Sequence, residues 1–105
     1  MENLKRNFIE NHFTISKETT KSIEFEHGTS GEVIYLIPNK EITIILNPKL
    51  VQANQQLLDK SFGLNHSTSF RQFPKRQHTG KDLIHYGYSF KLQSSDELVK
   101  LLKII

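Results

Sequence analysis

The chain has 105 residues, no cysteine, and 14 Lys and Arg against 11 Asp and Glu, a formal charge of +3. That length suits one domain around one core, and a hydrophobic fraction of 36% with seven Phe and three Tyr excludes a chain too polar to fold. The missing cysteines exclude a disulfide framework, a thiolate nucleophile and any cysteine-based zinc site.

Leu4, Phe8, Ile9, His12 and Phe13 fall at helical spacing and predict a first helix that stops by Thr14 to Lys17. Ile23 and Phe25 then alternate with Ser22, Glu24 and Glu26, the period of a half-buried strand, with Glu24 and Glu26 on its solvated side. The runs Val33 to Ile37 and Ile42 to Leu46 flank Pro38-Asn39-Lys40 and read as a hairpin, since Pro pre-sets φ and Asn tolerates unusual φ. Residues 22–46 thus predict a three-stranded meander. Strands apolar on both faces call for cover on both sides.

Asn47-Pro48 is a helix start, Asn as N-cap and Pro at the first helical position. Leu50, Val51, Ala53, Leu57 and Leu58 continue one helix to about Ser61, with Gly63 just beyond its end. Residues 67–73 alternate and read as a strand cut short by Pro74. A basic loop follows to Asp82, with its turn at Thr79-Gly80-Lys81. Leu83 to Leu92 is a strand with Ile84, Tyr86, Tyr88, Phe90 and Leu92 on one face and His85, Gly87, Ser89 and Lys91 on the other. Ser94 and Glu97 form a capping box for a last helix carrying Leu98, Leu101, Leu102 and Ile105. The order α-βββ-α-ββ-α predicts a single α+β domain, residues 1–105, with a mostly antiparallel sheet of about five strands packed with helices.

Charge and chemistry gather late in the chain. Residues 1–59 hold six Lys and Arg against eight acids, whereas residues 60–105 hold eight against three. Residues 66–91 contain two of the three arginines, three of the five histidines and five of the ten Phe and Tyr side chains. If residues 67–73 and 83–92 pair as a hairpin around the basic loop, Arg71, Lys75, Arg76 and Lys81 supply cations for phosphates, His85 and Lys91 face the partner from the sheet, and Phe70, Phe73, Tyr86 and Tyr88 are interleaved. Gly87 leaves a gap on the polar face where a ligand can approach, unless it marks a bulge or lies beneath a bulky neighbour.

The expectation from this pattern is a small non-enzymatic binding module for an anionic partner, most of all nucleic acid, DNA or RNA. Two alternatives stand beside it. One is a protein-interaction or inhibitory accessory protein that uses the basic loop as a charged rim. The other is a metal-independent ribonuclease with His66, His78 or His85 as acid and base and Arg71 or Arg76 facing the phosphate. The histidine spacings match no metal motif, Gly28 to Gly31 lacks the lysine of a phosphate-binding loop, and Ser67 to Ser69 lacks a nucleophile elbow. No metal or cofactor is expected. The N-terminal residues show no signal-peptide pattern and no stretch reaches the ~20 apolar residues of a membrane span, so the expected location is cytoplasmic. The abundance of Lys, Asn and Ile suggests an AT-rich genome of the bacterial or phage kind.

Overall fold

The computed structural model describes residues 2–78, 80 and 82–105. Helix α1 (Glu2–Glu10) buries Phe8, whose ring stacks on Phe25 with centroids 4.0 Å apart. The helix ends before the predicted stop, because the N–H groups of Asn11 and His12 turn back onto the carbonyls of Phe8 and Ile9 and His12 takes a φ of 74°. That left-handed residue reverses the chain. Phe13 therefore belongs to a strand, β1 (Phe13–Glu18), which has no counterpart in the predicted elements. Only Phe13 of β1 is buried, as suits a sheet edge, and a bulge between Ile15 and Lys17 interrupts its register.

Strands β2 (Ile23–His27), β3 (Val33–Ile37) and β4 (Ile42–Leu46) continue from β1 as an antiparallel meander of four. The predicted single helix after Asn47 is two, α2 (Pro48–Gln52) and α3 (Gln55–Lys60). Asn54 causes the break: its side chain accepts from the N–H groups of Gln56 and Leu57 and starts a new helix, as Asn47 does for Lys49. Next come β5 (Leu64–His66), β6 (Lys75–Gln77), β7 (Leu83–Leu92) and α4 (Ser95–Lys103). Ser94 accepts from the Glu97 N–H, while the Glu97 carboxylate takes the N–H of Gln93, one residue before the Ser94 donor of a capping box.

Among the described residues the fold is α+β with a seven-stranded antiparallel sheet, two strands more than predicted. Its order is β1-β2-β3-β4-β7-β5, with β6 paired to β7. The C-terminal half of β7 pairs with β4, and its N-terminal half projects between β5 and β6. The β6 side is the edge that β4 uses, since Tyr86 donates to the Pro74 carbonyl while the His85 carbonyl accepts from Ser67 across the opposite edge.

Both faces of the central strands are covered, which is why β3 and β4 read as continuous apolar runs. The helices cover one face over Ile34, Leu36, Ile44 and Leu46. Residues 67–74 cover the other, over Val33, Tyr35 and Ile45. This strap replaces the predicted strand at 67–73. Phe70 and Phe73 are three residues apart, each in a turn in which its own N–H donates to the carbonyl three residues back, so both rings reach the same face. Ser67 also satisfies the Ser69 N–H through its hydroxyl, a local bond that competes with strand pairing. Among the described residues no helix is long and apolar enough to cross a membrane.

Candidate functional site

The strap is fixed at one point by charge. Glu24 lies on β2 in a position that strand alternation aims at the strap, and its side chain is only 3% exposed. Arg71 reaches it with both prongs of its guanidinium, Nε to Oε1 at 3.1 Å and Nη2 to Oε2 at 3.0 Å. Tyr35 and Ser16 each donate a hydroxyl at 2.7 Å, and the Tyr35 oxygen in turn accepts the N–H of Gln72. Burial alone would raise the Glu24 carboxyl. The hydrogen bonds from Arg71, Ser16 and Tyr35, with the charge of Arg71, outweigh burial and hold it below the usual carboxylate value. Glu24 is thus not on a solvated side; Glu26, two residues on, is.

Gly87 sits under the strap. A Cβ there would lie 2.5 Å from Ile45 Cγ2, 2.8 Å from the Leu46 carbonyl oxygen and 2.9 Å from Phe73 Cδ2. The missing side chain makes room for Phe73 and not for a ligand. His85, on the same face of β7, has Nδ1 2.6 Å from the Phe73 carbonyl oxygen. A carbonyl only accepts, so Nδ1 carries the proton. Lys75 is paired in register with His85 and is exposed. Lys91, further along that face, has its ammonium 3.7 Å from Glu41 and 5.6 Å from the ring centroid of Phe62.

The opposite face of the projecting end holds a second group. Tyr86 and His66 are cross-strand partners with ring centroids 5.9 Å apart, and His78 stacks on His66 at 3.9 Å with its plane tilted by 19°. Arg76 from β6 extends over the Tyr86 ring, with Cζ 5.6 Å from its centroid. Burial, then the neighbouring His78 and Arg76, hold the His66 imidazole below its usual value, favouring the neutral ring. His66 Nε2 is buried without a hydrogen-bond partner among the described residues. Arg76 and His78 are exposed, and Tyr86 is half-buried.

The residues singled out in sequence therefore divide. Arg71, Lys75, His85 and Lys91 belong to the strap side, and Arg76, His66 and His78 to the other, while Lys81 lies outside the described residues. The three histidines do not converge. His66 and His78 touch ring to ring, leaving no space between them for a phosphate flanked by an acid and a base, and His85 faces away. The predicted hairpin of 67–73 with 83–92 is replaced by separate pairings of β5 and β6 with β7. Sequence reasoning does not assign Glu24, Tyr35 or Ser16 to Arg71, since the partners are 47 residues apart for Glu24. A glutamate flanked by the buried Ile23 and Phe25 in a strand is the available signal. Among the described residues no three His, Asp or Glu side chains gather as a metal site. No protein-family model, curated protein or solved structure matches the chain.

Proposed function

We propose that the chain is a binding module for an anionic partner, nucleic acid, engaged by the projecting end formed by β5, β6 and β7. The observation that carries this reading is the assembly of Arg76, Tyr86, His66 and His78 on one face: flat rings beside an exposed guanidinium. Such a surface offers stacking area to bases and a planar donor to a phosphate. Lys75 lies on the reverse face and adds positive potential at the same end. Arg71 contributes less to a partner than its residue type suggests, because two of its nitrogens are already spent on Glu24.

Fluorescence anisotropy with labelled single-stranded and duplex RNA and DNA tests the reading. Retention at low salt, weakened in Arg76→Ala and Tyr86→Ala while both variants stay folded, is the expected result. Absence of binding at low salt by any of the four probes would remove the proposal and favour a protein-directed role. Probe cleavage would redirect it toward the ribonuclease.

A further inference from the structure

The helical layer has a gap. Helix α4 packs on α1 and β7, and α2 packs on α3 and β7. Helix α3 stops at Lys60. Between α3 and α4 a cleft of about 500 Å³ is left open, within the ~300–1,000 Å³ of small-molecule pockets. Its apolar lining comes from Phe90 and Leu92 of β7 and Leu101 of α4, and Ile104, 57% exposed, forms part of its lip.

The cleft's rim is cationic. Lys60 comes from the α3 side and Lys100 from the α4 side, and among the described residues neither ammonium has a carboxylate within 4.0 Å. Among the described residues the one acid of the lining is Glu97, whose carboxylate is turned to the Gln93 N–H at 2.6 Å. Lys91 also lines the cleft, but its ammonium is held near Glu41. An apolar floor between two cations without partners complements a molecule with an apolar body and one negative end. A neutral apolar ligand would leave the lysines without a role, and a highly charged one would leave the floor uncovered.

We propose that the cleft between α3 and α4 binds a small amphiphilic carboxylate, its apolar body on Phe90, Leu92 and Leu101 and its carboxylate at Lys60 and Lys100. This site is separate from the β5, β6 and β7 end and does not depend on nucleic-acid binding there.

Octanoate, used well below its micelle concentration, is the probe, with amide shifts of the full chain followed by NMR. The expected result is a saturable shift confined to amides around the cleft, with affinity lowered about tenfold in the double variant Lys60→Glu/Lys100→Glu. Both lysines are exposed, so the variant is expected to keep the wild-type spectrum away from the cleft. The uncharged chain of the same length, 1-octanol, should bind the wild type and the double variant equally. Shifts spread over the exposed apolar residues Ile9, Ile15 and Leu83, no shift at all, or equal octanoate affinity in the double variant would each overturn the proposal.

Discussion

Replacing Glu24 by glutamine keeps the shape of the side chain and removes the charge that fixes the strap. The wild-type carboxylate accepts four hydrogen bonds, two from Arg71 and one each from Tyr35 and Ser16. The amide oxygen can still accept on one side, but the amide nitrogen sets donor against donor at Arg71 Nη2, while the Ser16 hydroxyl can turn to accept from it. Hydrogen bonds to a charged group contribute about 1.5–3 kcal/mol each. Against their loss stands the relief of burying a neutral group in place of a carboxylate, and Arg71, 45% exposed, can turn to water. The net cost is therefore below the ~3–5 kcal/mol of breaking a fully buried pair, about 2 kcal/mol. Urea unfolding at pH 7 measures it as a lower midpoint with unchanged slope, by about 1–2 M for a chain of this size.

The pH dependence of that difference follows from the same geometry. The folded carboxyl is held below its ordinary value of 4.5, so its stabilisation is fully present above pH ~4.5 and fades as the pH falls through the folded value. The glutamine of the variant does not titrate. The stability gap between wild type and Glu24→Gln should be flat from neutral pH to about pH 5.5 and close in acid. A gap under ~0.5 kcal/mol at pH 7, the scatter of an ordinary surface substitution, or a gap that widens in acid, would refute the role assigned to Glu24.

Gly87→Ala forces a methyl against Ile45, Phe73 and the Leu46 carbonyl, and thermal or urea unfolding should show a loss of about 1–3 kcal/mol. Asn54→Ala removes the cap that starts α3 and should cost about 1 kcal/mol in the same assay, with reduced amide protection at Gln56 and Leu57. In an NMR titration of the histidines, His66 should protonate below its ordinary value of 6.5, and Arg76→Ala should move its midpoint upward by removing one source of repulsion.

Much of the central architecture is legible in the sequence because its signals are local. Pro38 and Asn39 mark the β3–β4 hairpin, Asn47-Pro48 marks the start of α2, and Ser94 with Glu97 marks α4. Where two local signals overlap, the weaker element disappears. Phe13 continues the helical spacing of Leu4 and Phe8, which hides β1, and Asn54 sits inside a helical pattern that it in fact divides. The strap is illegible for another reason: Phe70 and Phe73 take their meaning from the sheet face beneath them. The basic character of residues 66–91 is plain in the composition. Which cation serves the fold and which faces outward depends on a glutamate far earlier in the chain.

Arg76, on the ring face of the projecting end, is the cation to which the proposed function assigns a phosphate contact. The slope of log K against log salt for a labelled single strand, compared between wild type and Arg76→Ala, decides whether it makes one. Weaker binding by the variant and a slope shallower by about 0.7, the loss of one phosphate contact on a single strand, are expected. An unchanged slope and affinity in a folded variant would contradict that assignment.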